Sequence, residues 1–161
     1  MTLTQGVDIE LVEYLYSAEK ERREVVKITD KYPDLSFAEA YDIQEKLIQR
    51  RVQEGSRRIG YKLGLTSKAK QQMMGVHEAI YGILTDDMLA LEWEKMDNDQ
   101  LIHPKAEPEI AFFIGEDLQG TNITGEDVLN VTTYVAPAIE IIDSRYLDFK
   151  FTLADVIADN C

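Results

Sequence analysis

The chain has 161 residues, 45% of them hydrophobic, and a net charge of −13. That length suggests one domain, or a small domain plus part of another, and no stretch approaches the roughly 20 apolar residues of a membrane span. An acidic surface repels nucleic acid, and no basic stripe with interleaved aromatics offsets it. An anionic substrate would need local cations, either a metal ion or a buried lysine, against that field. The start shows no basic region followed by an apolar run, and one cysteine, Cys161, excludes an internal disulfide. These features lead us to expect a cytoplasmic protein with no membrane or nucleic-acid partner.

The pattern predicts a helix from residue 8 to about 27, with Asp8 as N-cap and Leu11, Val12, Leu15 and Tyr16 at helical spacing. Residues 31–35 read as a connector, because Pro33 discourages helix just before it. A second helix starts at Ser36, where Glu39 completes a Ser-x-x-Glu capping box, and Gly55 is its expected stop. Ala40, Tyr41, Leu47 and Ile48 form its apolar stripe. Both helices suggest packing or subunit contacts rather than chemistry.

From Ile59 the period changes to two, and Ile59, Tyr61, Leu63 and Leu65 alternate with Gly60, Lys62 and Gly64 as in a strand. A short helix follows from about Lys68 to Met74, between a Thr66/Ser67 cap and Gly75. Apolar pieces at 80–84 and 88–91 flank Asp86 and Asp87, and residues 93–100 read as an exposed acidic loop. Then come a strand over about 107–114, a capped helix from Thr124, a strand over about 134–143 and a helical turn over 154–158 behind Thr152.

Three segments could carry chemistry. In the strand holding Glu107 and Glu109, side chains two apart share a face, and two carboxylates held close repel unless one is protonated or a cation lies between. Such oxygen ligands suit Mg²⁺ or Mn²⁺, although two solvent-facing glutamates on a strand edge fit the segment at least as well. Glu140 lies in a nearly continuous apolar run, where a carboxylate is costly unless paired or metal-bound; a third ligand and a salt bridge to Arg145 or another basic residue are equally good accounts. Lys62 has glycine two residues away on each side, so a ligand or backbone can approach closely. It could meet an anion or move a proton, while residue types alone favour an exposed strand lysine. His77 and His103 lack metal-binding spacing, and there is no GxGxxG, Walker-type loop or GxSxG.

Taken together, four ordered segments resemble one family. Gly60-Tyr-Lys-Leu-Gly-Leu-Thr-Ser67 is similar to its G-x-K-x-G-x-T-S strand, and His103-Pro-Lys-Ala-Glu-Pro-Glu-Ile-Ala-Phe112 to its P-x-x-E-x-E-[IV]-A-[FY] metal strand. Pro137-Ala-Ile-Glu-Ile-Ile-Asp-Ser-Arg145 resembles its third-ligand strand, and Asp155-Val-Ile-Ala-Asp-Asn160 the segment leading into a Ser/Ala-rich loop. This is the decarboxylase/hydratase branch of the fumarylacetoacetate hydrolase superfamily, comprising 4-oxalocrotonate decarboxylases and 2-hydroxypenta-2,4-dienoate-type hydratases.

The resemblance implies an α+β fold, with an N-terminal helical segment over 1–56 and the first part of a mixed, mostly antiparallel β-domain over 57–161. Family members continue well past Cys161, so that domain is expected to be C-terminally incomplete. The resemblance also implies a magnesium- or manganese-dependent lyase of aromatic hydrocarbon catabolism that acts on a small 2-oxo dicarboxylate. Its metal ligands would be Glu107, Glu109 and Glu140, its catalytic residue Lys62, and its substrate contacts Thr66, Ser67 and Ile80. Hydratases typically carry Pro-Asp-[Tyr/Phe]-Gly where this chain has Glu78-Ala-Ile-Tyr-Gly82. Ile80 standing in place of the acid favours decarboxylation, which gains from a dry site, and Asp143–Phe151 also looks like the decarboxylase version. The alternatives are a hydratase and a non-catalytic fragment that binds a partner subunit. Family analogy suggests self-association and a complex with the pathway hydratase.

Overall fold

A computed structural model describes residues 6–161, and its contacts divide the chain into two compact units. The first comprises the residues up to His103 together with Ser144–Cys161, and the second comprises Pro104–Asp143. Part of the segment after residue 57 belongs to the first unit, where Ile80–Thr85 contacts Phe37–Gln53 and Leu153–Ala158.

In the first unit, α1 (Val7–Glu21), α2 (Ile28–Lys31), α3 (Phe37–Gln53) and the later α6 (Leu153–Ala158) surround the core. Leu15, Ile43, Leu47, Tyr146 and Ile157 are among its fully buried side chains, so the apolar stripes of α1 and α3 drive packing as their period requires. Gly6, with φ 111°, is the N-cap of α1, while Asp8 accepts a bond from the Gly6 N–H at 3.1 Å. The helix stops at Glu21 rather than near 27, because Arg22 turns left-handed (φ 52°) and the Arg23 N–H closes onto Ala18 O at 3.0 Å. Beyond it, the Val25 N–H donates to Arg145 O at 2.7 Å and the Leu147 N–H to Val25 O at 3.0 Å. That parallel bridge draws Val25 away from any helical ladder. The Ser36/Glu39 capping box forms, and Gly55 (φ 110°) follows the end of α3.

Strands β1 (Arg58–Gly64) and β2 (Ile80–Thr85) form an antiparallel pair across α4 (Lys68–Met74), which Ser67 caps and a left-handed Gly75 ends. The alternation in β1 is as expected, with an outward apolar side: Ile59, Tyr61 and Leu63 are exposed, and Gly60, Lys62 and Gly64 form the half-buried face. Residues 93–100 are exposed, ending in one 3₁₀ turn. Among the described residues no helix is long and apolar enough to cross a membrane.

The second unit is an antiparallel ribbon of β3 (Pro104–Ile114) and β4 (Thr132–Asp143), with α5 (Gly125–Val131) capped by Thr124 and Asp127. Both strands start earlier than the apolar pattern indicates. Helices and two small antiparallel sheets make the fold α+β.

Candidate active site

The β3–β4 register fixes the acidic groups. Glu107 pairs with Glu140, and Glu109 with Ala138. Because alternate residues share a face, Glu107, Glu109 and Glu140 all project from one side of the ribbon. Small neighbours share that side: Ala111 opposes Ala136 just beyond Ala138. The other face carries Ile110, Phe112, Val135 and Ile139, with Ile110 61% and Ile139 71% exposed. Glu140 is half-buried rather than enclosed. Among the described residues no three His, Cys, Asp or Glu side chains are gathered closely enough to hold a metal ion. The backbone thus brings the three glutamates to one face, and three flexible side chains are left to close the remaining distance. The donor set, all carboxylate oxygen, fits a hard divalent cation rather than a soft one.

In the first unit the register pairs Lys62 with Gly82 and Gly64 with Ile80, so Lys62 and Ile80 extend on the same face of the β1–β2 pair. A Cβ at Gly82 would lie 2.8 Å from Lys62 Cε and would collide with the Asn160 carbonyl oxygen. Gly82 is therefore glycine because the Asn160 backbone carbonyl oxygen stands where a side chain would begin, with the lysine stem beside it. Ile80 is buried and belongs to the hydrophobic core, where a Cβ at Gly64 would meet its Cγ1 at 3.0 Å. Thr66 and Ser67 are exposed, and the Ser67 hydroxyl accepts from the Lys70 N–H at 3.2 Å as the cap of α4. A shallow hollow of about 360 Å³ in this unit is lined by Lys27, Thr29, Phe37 and Thr152 and includes none of the expected site residues.

A chain of ion pairs runs through the first unit, with the Arg51 and Arg145 guanidinium groups buried. Arg145 pairs with Asp159 and, at 3.1 Å, with Glu19; Glu19 also pairs with Arg51, which reaches Asp87 at 2.7 Å. Burial pushes the Asp159 carboxyl up to about 7, against the downward pull of the Arg145 and Lys62 charges. The Asp155 carboxylate accepts from the Thr29 N–H (2.9 Å) and hydroxyl (2.6 Å) and from the Thr152 N–H (2.9 Å), tying α2 to α6. Asn160 pairs with Ile83 as a strand would: its Oδ1 accepts from the Ile83 N–H at 2.7 Å and its Nδ2 donates to the Ile83 carbonyl at 2.9 Å. The Gln44 amide acts in a similar way, its Nε2 donating to Tyr81 O at 3.0 Å and Ile157 O at 2.9 Å.

Sequence reasoning missed these groups. Asp155 had a signal in the Thr152-x-x-Asp155 capping box, which the structure forms. Asp159, Asn160 and Gln44 had no local one, because each acts on an element far away in the chain.

An α+β protein with three same-face glutamates on one ribbon and a glycine-flanked lysine on another strand pair is the class the fold and site define. No family model matches the chain. It is 42% identical over 159 residues to a 4-oxalocrotonate decarboxylase of Pseudomonas sp. (strain CF600), covering 99% of this chain and 60% of that protein. It is 43% identical over 152 residues to a 2-hydroxypent-2,4-dienoate hydratase of Pseudomonas putida, covering 94% of this chain and 68% of that one. Among solved structures, 4-oxalocrotonate decarboxylase from Pseudomonas putida G7, complexed with magnesium and adipate, superposes with a TM-score of 0.94 at 40% identity, over 99% of this chain and 60% of that one. The chain belongs to the family of 4-oxalocrotonate decarboxylases and 2-hydroxypentadienoate hydratases. It spans 60% of the length of the decarboxylase relative.

Proposed function

We propose that this protein serves as a metal-dependent lyase that decarboxylates 4-oxalocrotonate (2-oxohex-3-enedioate) to 2-hydroxypenta-2,4-dienoate in meta-cleavage degradation of aromatic compounds. The observation that carries the choice of reaction is Ile80, a buried apolar side chain on the same strand face as Lys62. Water addition needs an acid or base at such a position, whereas loss of CO₂ gains from dryness.

Glu107, Glu109 and Glu140 would hold Mg²⁺ or Mn²⁺, which supplies Lewis-acid polarisation at the 2-oxo acid end of the substrate. In the reaction the C5–C6 bond breaks and CO₂ leaves. Its electron pair moves through the conjugated C3=C4 bond toward the 2-oxo oxygen, which then takes a proton. Lys62 presents an ammonium to the anionic charge that collects there, or relays that proton. Thr66 and Ser67 would contact the substrate. The ribbon and the β1–β2 pair would belong to a β-domain of the fumarylacetoacetate hydrolase type, preceded by the helical segment over 1–56. A cytoplasmic location, self-association and a complex with the pathway hydratase complete the reading.

The second reading is a 2-hydroxypenta-2,4-dienoate-type hydratase, favoured by the 43% identity to a hydratase. The third, a fragment that only binds a partner subunit, draws on the two amphipathic N-terminal helices. Paired assays separate them: CO₂ release from 4-oxalocrotonate against water addition to 2-hydroxypenta-2,4-dienoate, each with Mg²⁺ and with a strong chelator. We expect chelator-sensitive CO₂ release, a lower kcat in Lys62→Ala and no metal-dependent turnover in Glu109→Ala. Water addition without CO₂ release makes the protein a hydratase, and neither activity supports the binding fragment. Full activity under chelation removes the metal from the mechanism.

A further inference from the structure

We propose that Gln71 is a positioning residue for the substrate contacts Thr66 and Ser67, its side-chain amide holding the left-handed corner at Leu65 from which both hydroxyls are presented. The inference rests on the substrate-contact role proposed above for Thr66 and Ser67.

The β1–β2 ladder ends at the Gly64–Ile80 pair. The next residue, Leu65, turns left-handed with φ 55°. A leucine resists that conformation, because its Cβ crowds the neighbouring carbonyl oxygen. Left to itself Leu65 would extend, and β1 would run on past Ile80 with Thr66 and Ser67 carried along the strand. Two contacts oppose this. The Leu65 side chain packs against the hydrophobic core, and the Gln71 Nε2 donates to the Leu65 carbonyl oxygen at 2.8 Å.

Gln71 grips the corner twice. Its backbone N–H donates to the Ser67 carbonyl oxygen at 3.0 Å, while its side chain holds the Leu65 carbonyl, so Thr66 is bracketed between two bonds from one residue. Gln71 is half-buried, whereas every other residue of α4 is exposed. Thr66 and Ser67 are themselves exposed. The Ser67 hydroxyl accepts from the Lys70 N–H at 3.2 Å, which leaves its own proton to donate. A strained backbone persists only where its surroundings over-determine it, and here the determining group is a side chain that itself touches no substrate.

The test removes the Gln71 donor and keeps the helix. Gln71→Met has nearly the same length and a high helix propensity, and Gln71→Lys keeps a donor. The probe is 2-oxoadipate, the saturated counterpart of 4-oxalocrotonate, which has the 2-oxo acid and both carboxylates but no conjugated double bond to carry CO₂ loss. With Mg²⁺ present, its Kd should rise roughly 3- to 10-fold in Gln71→Met and stay near wild type in Gln71→Lys. In turnover, KM should rise by a similar factor while kcat and Mg²⁺ affinity hold. The amide resonances of Thr66 and Ser67 should move in Gln71→Met without ligand. Adding Leu65→Asn should recover part of the affinity, because asparagine enters the left-handed region more readily. Wild-type affinity or unmoved Thr66 and Ser67 resonances in Gln71→Met overturn the inference. So do equal losses in the Met and Lys variants, which mark a merely structural residue. Should Gln71→Met lose its fold by circular dichroism, Gln71→Glu, of the same length and without a donor, is compared with Gln71→Lys in its place. A wild-type chain that binds neither 2-oxoadipate nor 2-oxopentanoate, the saturated counterpart of the hydratase substrate, overturns the reading of the site and this inference with it. Binding in wild type that Gln71→Met leaves unchanged overturns this inference alone.

Discussion

Glu107 of β3 stands directly across the ribbon from Glu140 of β4, with Glu109 next on the same face. Like charges opposed in this way destabilise a strand pair, and a cation between them reverses the sign. The Glu140→Gln chain should therefore melt at a higher temperature than wild type under chelation. It should also lose most of the stabilisation that Mg²⁺ confers, with affinity lower by at least about 10-fold. Thermal scans with and without Mg²⁺, together with calorimetric titration, check both signs. A variant that binds Mg²⁺ as wild type does removes Glu140 from the ligand set.

Asn160 takes the place of a neighbouring strand for Ile83, and both partners are buried. Asn160→Ala leaves the N–H and C=O of Ile83 without these bonds, a loss of about 2 kcal/mol or more. The urea midpoint should fall with little change in slope. An unchanged midpoint would mean that water replaces the amide at no cost.

Asp159 makes stability depend on pH in an unusual direction. Its carboxyl titrates at about 7 in the folded chain, against 3.8 for the unperturbed group. Between those values the folded state retains a proton that the unfolded state has released, so this group's contribution to stability is full below 3.8 and is lost as pH rises toward 7. Asp86 and Asp127 act oppositely and in another window: hydrogen bonds from Arg57 and from Thr124 lower them below 3.8, so their contribution is lost only as pH falls further. Urea unfolding across this range should show declining stability with rising pH in wild type and a flatter profile in Asp159→Asn. Equal slopes in the two chains would show that Asp159 titrates like a solvated carboxylate.

What the sequence determined by itself is local. Capping by Ser36 with Glu39, by Thr124 and by Thr152 was legible because each cap closes within four residues. The same-face placement of Glu107 and Glu109 was legible because strand period is two. The stop of α1 at Glu21 was not, because Val25 is drawn to Tyr146, far along the chain. Only the tertiary structure decided that Glu140 faces Glu107, since strand register is a property of two distant segments. It alone decided that the apolar side of β1 turns outward and that Lys62 crosses Gly82 beside Asn160. It also assembled Glu19, Arg51, Arg145 and Asp159 into one chain of ion pairs around two buried guanidinium groups. Burial, which gives those charges their energies, comes from every element packed around them, and no window of neighbouring residues contains it.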